Sequence, residues 1–286
     1  MKALITGKNG QLGYELQQTS PEGVELFAYD SGELDIRNQT AVETLVNELK
    51  PNVIINAAAY TAVDKAESDE ETAYAVNRDG AKFLAEAAKS ISAKLIHIST
   101  DFVFNADKNS PYLPEDKTDP LGVYGASKLD GELAIQEIYP DNSCIIRTSW
   151  VYSEHGNNFV KTMLRLMKEK PELGVVGDQI GSPTWANGLA KACWTAAMSK
   201  ESGLYHYSDL GVASWYDFAV AIQEVGLELG QLNNEIPVKP IKITDYPTPA
   251  KRPAYSVMDT SKIRNELKID GMHWRAALKQ MMQSLV

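Results

Sequence analysis

The chain has 286 residues, of which 44% are hydrophobic and 23% are charged, and this composition is typical of a globular protein. The net charge of −10 argues against binding to nucleic acids, which requires a basic surface. Cys144 and Cys193 lie far apart in apolar runs, which favours buried thiols in a reducing compartment over a disulfide framework. We recognise no signal peptide and no apolar run of membrane-spanning length. We therefore expect a cytoplasmic protein that does not associate with membranes.

The first half of the chain alternates strand-like and helix-like segments with short connections. Apolar runs predict strands at residues 3–6, 24–29, 53–56, 94–99 and 143–148. Helices are predicted at residues 11–19, 39–50, 69–90 and 124–138. The strands are apolar on both faces, as in a parallel sheet that helices cover on both sides. The expected fold class is α/β, with a Rossmann-like doubly wound parallel sheet and a ligand across the carboxyl ends of its strands.

The pattern loosens after Trp150. Helices are predicted at residues 159–169, 186–199, 215–226, 260–267 and 274–285, strands at 174–177 and 203–208, and a proline-rich loop at 246–253. We expect residues 1–150 to form a dinucleotide-binding domain, to which later segments (roughly 184–208) return. Residues 151–286 are expected to form mainly a smaller, interleaved substrate-binding lobe.

Three glycines follow the first predicted strand in the segment KALITGKNGQLG, at Gly7, Gly10 and Gly13. Glycine allows a pyrophosphate to approach the backbone N–H groups at a helix N-terminus closely. The spacing Gly-x-x-Gly-x-x-Gly differs from the commoner Gly-x-Gly-x-x-Gly fingerprint, and glycines also mark ordinary turns. The segment predicts a dinucleotide-binding loop, with an ordinary turn as the alternative.

Asp30 ends the second predicted strand, about twenty residues after the glycine loop. A carboxylate in that position accepts hydrogen bonds from the ribose hydroxyls of a dinucleotide and repels a 2′-phosphate, which favours NADH over NADPH. Lys8 in the glycine loop could offset that repulsion, so both cofactors stay open. A turn aspartate is the alternative interpretation of this residue.

A second group of polar residues follows the fourth predicted strand. Thr100 ends that strand, and Tyr124 and Lys128 follow at a spacing that places both on one face of a helix. An ammonium group beside a phenol stabilises the phenolate and lowers the tyrosine pKa, and Thr100 can stabilise a developing alkoxide. Tyr-x-x-x-Lys alone is a weak signal, but its combination with the glycine loop argues against a purely structural role.

These motifs together resemble the extended short-chain dehydrogenase/reductase superfamily. Within it, blocks that span most of the chain are similar to the dTDP-4-dehydrorhamnose reductase family: GKNGQLG, NAAAYTAVDKAE, HISTDFVF, YGASKLDGE, RTSWVY, GNNFVKTML and YPTPAKRP. The resemblance implies hydride transfer from NADH or NADPH to a 4-keto-6-deoxy sugar nucleotide, dTDP-4-dehydro-L-rhamnose. The product would be dTDP-L-rhamnose, and the reaction the last step of dTDP-rhamnose biosynthesis.

The same blocks imply roles for individual residues. Tyr124 resembles the general acid, Lys128 its partner and ribose anchor, and Thr100 the hydrogen-bond donor to the same substrate oxygen. The implied cofactor-binding residues are Gly7, Gly10, Gln11, Leu12, Asp30, Asp35, Ile36, Ala59, Tyr60, Thr61 and Ile98, together with Tyr124 and Lys128.

Three further residues are predicted to join Thr100 in binding the substrate. Asp101 and Trp150 match sugar-contact positions, and an indole face suits the apolar face of a 6-deoxy sugar. Arg252 is a candidate for the substrate pyrophosphate because its guanidinium presents a planar fork of donors. The alternatives are an ordinary core position for Trp150 and a surface arginine at position 252.

The remaining expectations concern metal binding, assembly and alternative functions. The four histidines show no metal-ligand spacing, so we expect no metal site, and a homodimer is the expected assembly. Another sugar-nucleotide epimerase or reductase, or a 4,6-dehydratase, is one alternative function. A dehydratase commonly has Glu where this chain has Phe102. A non-catalytic regulatory relative is the second alternative, although such relatives usually lack the catalytic trio that is present here.

Overall fold

The computed structural model describes residues 1–285, which form strands and helices in an alternating order. The strands are β1 Lys2–Thr6, β2 Glu25–Tyr29, β3 Val53–Asn56, β4 Lys94–Thr100, β5 Ser143–Thr148, β6 Val151–Tyr152, β7 Leu173–Val176, β8 Ile180–Gly181, β9 Thr184–Trp185, β10 Gly203–His206, β11 Ala213–Ser214 and β12 Val238–Ile241. The α-helices are α1 Gln11–Gln18, α2 Gln39–Leu49, α3 Val63–Ala66, α4 Glu70–Tyr74, α5 Gly80–Ser90, α6 Val123–Ile138, α7 Phe159–Glu169, α8 Ala186–Met198, α9 Trp215–Glu228, α10 Ser261–Leu267 and α11 Trp274–Gln283.

Six of these strands form one parallel sheet in the order β10-β5-β4-β3-β1-β2. Strand β1 pairs with both β2 and β3, so the strand order reverses direction beside β1. In open sheets of this kind a crevice forms outside the carboxyl ends of the strands at such a reversal. The glycine loop leaves β1 at that position.

The sheet is buried between two layers because its strands are apolar on both faces. Ala3 and Ile5 of β1 belong to the core that α1 and α8 cover, whereas Leu4 points to the opposite core beneath α2 and α5. This alternation follows from the two-residue period of a strand. The fold class predicted from the sequence is therefore confirmed.

A third apolar core lies among α7, α9 and α11 and includes the fully buried Phe218. Small strand pairs border this core: β12 pairs in parallel with β7, β11 pairs antiparallel with β8, and β9 pairs in parallel with β6. Strand β10, in contrast, lies at the edge of the main sheet beside β5. The functional division into a dinucleotide-binding domain and a substrate lobe stays a prediction.

Element boundaries agree with the predicted ones to within a few residues, with one informative difference. The helix predicted over residues 69–90 is divided into α4, a π-helical turn at Ala75–Asp79 and α5. The turn brings Asn77 inward, where its side chain bonds both backbone groups of Tyr60 and the Ser127 hydroxyl. The two-residue strands, the four-residue strand β12 and the four-residue helix α3 were not predicted, because such short runs carry little periodic signal.

Within residues 1–285, no helix combines the length and the apolar character needed to cross a membrane.

Candidate active site

A cavity of about 1060 Å³ lies along the carboxyl ends of the sheet strands. Its wall includes every residue that the sequence analysis assigned to the cofactor, the reaction or the sugar, with Arg252 as the one exception. The residues that were predicted separately, from a glycine loop, a strand end and a helix, thus share one pocket. Their individual roles stay proposals.

The glycine loop at one end of the cavity leaves little room for side chains. Gly7 has a φ of +76°, and a Cβ there would lie 2.7 Å from the backbone nitrogen of Ala58. A Cβ on Gly13 would lie 2.0 Å from the carbonyl oxygen of Gly7. Helix α1 begins after Gly10, and no described side chain caps its N-terminus. The N–H groups of Lys8 and Gly10 bond the carbonyl oxygens of Tyr29 and Gly7, so the free N–H groups are those of the first turn of α1. With the close-fitting loop, they suit the pyrophosphate of a dinucleotide.

Asp30 lies at the end of β2 on the same wall, and its carboxylate already has local partners. Its Oδ1 accepts hydrogen bonds from the backbone N–H groups of Gly32 and Glu33, and its Oδ2 accepts one from Asn9 Nδ2 at 2.8 Å. These backbone bonds, with Lys8 nearby, hold the pKa of Asp30 below its ordinary value. Asp30 therefore stabilises a turn, as the alternative interpretation predicted, and its ionised carboxylate also lines the cavity.

Lys8 lies close to this carboxylate. Its Nζ is 2.5 Å from Glu33 Oε2 and 3.9 Å from Asp30 Oδ2. Arg37, which the sequence analysis did not single out, also lines this end of the cavity and pairs with Asp35 at 2.7 Å. This end of the cavity therefore contains three carboxylates, Asp30, Glu33 and Asp35, and two cations, Lys8 and Arg37, so its charge alone does not decide between the two cofactors.

Thr100, Tyr124 and Lys128 converge on the middle of the cavity. Strand β4 ends at Thr100, and α6 begins at Val123, so Tyr124 and Lys128 project from consecutive turns of one helix. Gly125, between them, allows the helix to approach, because a Cβ there would lie 2.2 Å from the Phe102 carbonyl oxygen. Close helix packing therefore brings the phenol to the strand end.

The pKa of Tyr124 differs from the expected direction. Burial raises the pKa of Tyr124 to about 12, the charge of Asp101 acts in the same direction, and the neighbouring Thr100 hydroxyl partly offsets both. The net shift is opposite to the predicted lowering, and Lys128 is not among its causes. The phenol is protonated at neutral pH, which is the form that a general acid needs.

Lys128 is 2% exposed and lies among polar atoms of β4. Its Nζ donates to the carbonyl oxygen of Ile98 at 2.6 Å and lies 3.3 Å from His97 Nε2. Burial lowers the pKa of Lys128 to about 8, and the Glu132 carboxylate acts in the opposite direction. Its charge can therefore change within the range in which enzymes are assayed.

Asp101 follows Thr100 and is 2% exposed. The Thr100 hydroxyl donates to Asp101 Oδ1 at 3.1 Å, and Asp101 Oδ2 has no partner within 3.5 Å among the described residues, although the nearby Ser256 hydroxyl acts to lower the pKa of Asp101. Burial raises the pKa of Asp101 to about 6. The hydroxyls of Thr148 and Tyr152, which line the same cavity, also lack partners within that part of the chain. Buried polar atoms of this kind fit a ligand that is rich in hydroxyl groups.

An aromatic wall closes the other end of the cavity. The Trp150 ring stacks on Trp215 with centroids 3.6 Å apart, and Phe159 lies 4.7 Å from Trp215. Trp150 has a φ of +47°, a backbone conformation that is unfavourable for a residue with a side chain. Its ring covers Gly181, where a Cβ would lie 2.7 Å from the indole. Packing on both faces holds the strained backbone in place, and strain of this kind is common at functional sites.

Arg252 and Asn158 both have partners within the protein. Arg252 binds Asp64 at 2.8 Å, and the backbone N–H of Ala250 donates to the same carboxylate, so this pair fastens the 246–253 loop to α3. Asn158 caps α7 by accepting a bond from the Lys161 N–H, and its Nδ2 donates to Gln11 Oε1 at 3.0 Å. Asn158 therefore caps α7 and also lines the cavity.

Comparisons with known proteins agree with this geometry. The model of the RmlD substrate binding domain family matches residues 1–286. A protein of Aggregatibacter actinomycetemcomitans named dTDP-4-dehydrorhamnose reductase is 44% identical over 98% of both chains. The crystal structure of a dTDP-4-dehydrorhamnose reductase from Clostridium acetobutylicum has a TM-score of 0.95 and 42% identity, covering 100% of this chain and 99% of that one. The enzyme from Bacillus anthracis in complex with NADP has a TM-score of 0.93 and 38% identity, covering 99% of each chain.

Proposed function

Because the chain belongs to the RmlD substrate binding domain family, we propose that it reduces dTDP-4-dehydro-L-rhamnose to dTDP-L-rhamnose with NADH or NADPH. This reaction completes dTDP-rhamnose biosynthesis. One observation supports the proposal most directly: Thr100, Tyr124 and Lys128 lie in the same cavity as the glycine loop. A hydride donor held by that loop and a ketone held by the trio can therefore meet.

A dinucleotide held by the glycine loop would supply the hydride that the ketone carbon accepts. Tyr124, protonated because burial raises its pKa to about 12, donates its proton to the oxygen that becomes an alkoxide. The Thr100 hydroxyl donates a hydrogen bond to the same oxygen once it turns away from Asp101 Oδ1. Lys128, when charged, stabilises the phenolate left on Tyr124 and holds the ribose hydroxyls of the cofactor.

The remaining walls suit the two ends of a sugar nucleotide. The stacked rings of Trp150 and Trp215 offer an apolar wall to a 6-deoxy sugar, and Asp101 Oδ2 offers an acceptor to a sugar hydroxyl. Both terminal nitrogens of Arg252 bond Asp64, so a substrate pyrophosphate would have to compete with Asp64 for these donors. Arg252 therefore stays a candidate for the substrate and not for the cofactor.

The test is turnover with dTDP-4-dehydro-L-rhamnose, measured as oxidation of NADH and of NADPH side by side. We expect Tyr124→Phe to bind cofactor normally and to lose most of its turnover, at least a hundredfold, because the general acid is missing. Lys128→Met, a second variant, should lose turnover and weaken cofactor binding. Unchanged turnover in Tyr124→Phe would show that another group supplies the proton.

Two further expectations accompany this function. We propose that the chain acts in the cytoplasm, which the free buried thiols of Cys144 and Cys193 support, and that it forms a homodimer. Cell fractionation and light scattering of the purified protein test these expectations. A periplasmic location or a monomer at assay concentration would contradict them.

A further inference from the structure

A chain of buried polar side chains connects the glycine loop to Lys128. The Thr6 hydroxyl donates to Asn56 Oδ1 over 2.7 Å, Asn56 Nδ2 lies 3.0 Å from His97 Nδ1, and His97 Nε2 lies 3.3 Å from Lys128 Nζ. Thr6, Asn56 and His97 are each 1% exposed. They occupy adjacent strands β1, β3 and β4, immediately behind the cavity wall. The proposed reaction uses neither Asn56 nor His97.

Hydrogen-bond chemistry fixes the direction of this chain. The backbone N–H of Ala58 can only donate and lies 3.2 Å from Asn56 Oδ1, so that atom is the amide oxygen. The other terminal group of Asn56 is then NH₂, which can only donate, and His97 Nδ1 must accept. Burial, with the charge of Lys128 as a second cause, holds the pKa of His97 well below its usual value. A neutral ring that accepts at Nδ1 carries its hydrogen on Nε2, the atom facing Lys128.

This tautomer distinguishes the two forms of Lys128. An ammonium group and Nε2–H would face each other as two donors at 3.3 Å, whereas a neutral amine has a lone pair that accepts from Nε2–H. The bond from Lys128 to the Ile98 carbonyl is available to both forms. We propose that Asn56 and His97 are positioning residues, which fix the Nε2–H tautomer and thereby favour the neutral amine of Lys128. The inference rests on the proposed function, in which Lys128 is the partner of Tyr124.

Other titratable groups also surround Lys128 and influence its pKa. On α6, Tyr124 lies one turn before Lys128 and Glu132 one turn after it, and Arg147 of β5 binds Glu132 in a bidentate pair. Asp101 follows β4 on the same wall. Burial lowers the pKa of Lys128 to about 8, and Glu132 opposes that shift. The Asn56–His97 pair adds to the effect of burial.

The substitution Asn56→Asp reverses the polarity of the chain with little change in shape. A carboxylate still accepts from Thr6 and Ala58, but it now presents an acceptor to His97 Nδ1. The ring hydrogen then moves to Nδ1, and Nε2 accepts from the Lys128 ammonium; the added negative charge acts in the same direction. If charged Lys128 is required, the high-pH decline of kcat should move upward by at least about one pH unit.

Thr6→Val is the matched control, since it removes one donor to the amide while Ala58 still orients it. We expect the pH profile of Thr6→Val to match that of the wild type within about 0.3 unit. If kcat declined at the same alkaline pH in Asn56→Asp and in Thr6→Val, the proposal would be overturned.

Nitrogen-15 NMR of the folded protein supplies a readout that needs no turnover. We expect wild-type His97 to carry its hydrogen on Nε2 from pH 6 to 9, and Asn56→Asp to carry it on Nδ1. The Lys128 Nζ resonance should titrate at higher pH in the variant. A wild-type ring protonated at Nδ1 refutes the inference even if Asn56→Asp does not fold. Failure to reduce the sugar nucleotide would refute the proposed function instead and leave the tautomer result unaffected.

Discussion

Asp209 provides a sharp test of how burial affects stability in this protein. It follows β10, is 3% exposed and lies outside the wall of the active-site cavity. Its Oδ2 accepts one hydrogen bond, from the backbone N–H of Trp185 at 2.9 Å. Burial raises the pKa of Asp209 from 3.8 to about 7, while that single bond acts in the opposite direction. The perturbation is Asp209→Asn, which keeps the acceptor for Trp185 and removes the titration.

The sign of the effect follows from linkage. Below pH 3.8 the carboxyl is neutral in both the folded and the unfolded chain, so Asp209 adds no pH dependence. Between pH 3.8 and about 7 the unfolded chain ionises while the folded chain holds its proton, so the wild type loses stability as pH rises. Raising the pKa from 3.8 to about 7 corresponds to a loss of roughly 4 kcal/mol in the free energy of unfolding, and this loss is complete above pH 8.

Urea unfolding of the wild type and of Asp209→Asn at half-unit steps from pH 4 to 8.5 measures this difference. The change in the free energy of unfolding should favour the variant progressively, with a slope near 1.4 kcal/mol per pH unit in the middle of the range. Asp101, whose pKa is raised to about 6, titrates in the same window but is common to both proteins and cancels in the comparison. Parallel curves over pH 5–8 would refute the burial argument.

Three other substitutions test separate parts of the structure. Arg147→Met leaves the Glu132 carboxylate buried without its partner at 2.7 Å and should lower the free energy of unfolding by about 3–5 kcal/mol in urea titrations. Adding Glu132→Leu should recover part of that loss, and a further loss would contradict the ion-pair argument. Trp150→Gly should be about 1 kcal/mol more stable than Trp150→Ala in thermal unfolding, because glycine adopts a φ of +47° without strain and alanine does not. A more stable Trp150→Ala would show that the backbone at this position is not strained. Asp30→Ala should reduce kcat/KM for NADH more than for NADPH, because the carboxylate accepts hydrogen bonds from the ribose hydroxyls and repels a 2′-phosphate. Equal losses with both cofactors would show that Asp30 only stabilises the turn.

Much of the fold was predictable because strands and helices leave periodic patterns in the sequence. The β1 run Ala3, Leu4 and Ile5 is apolar at every position, and the structure buries all three residues, on alternating faces of the sheet. Once a parallel sheet is inferred, all strand ends meet along one edge. The presence of Gly7, Asp30 and Thr100 on one cavity wall follows from that topology.

The remainder depended on contacts between distant segments, which a local pattern does not contain. Trp215 enters the site only because α9 packs against the turn after β5 and stacks on Trp150. Arg252 has the right chemistry for a phosphate, but Asp64 lies close enough to take its guanidinium. The direction of the Tyr124 pKa shift also depended on burial, which a spacing of four residues cannot indicate.

Burial favours the uncharged form of each group that would act on the substrate carbonyl. It raises the pKa of Tyr124 to about 12 and lowers that of Lys128 to about 8, so near pH 8 the phenol is neutral and the lysine is half charged. Reduction begins from the phenol, whereas oxidation of the product alcohol would have to begin from the phenolate. Moving the phenol from its ordinary pKa near 10 to about 12 makes the phenolate about a hundredfold scarcer at neutral pH. Burial therefore keeps the proton on Tyr124 before reduction but also makes the phenol a weaker acid, so the phenolate that forms needs the charged form of Lys128 to stabilise it.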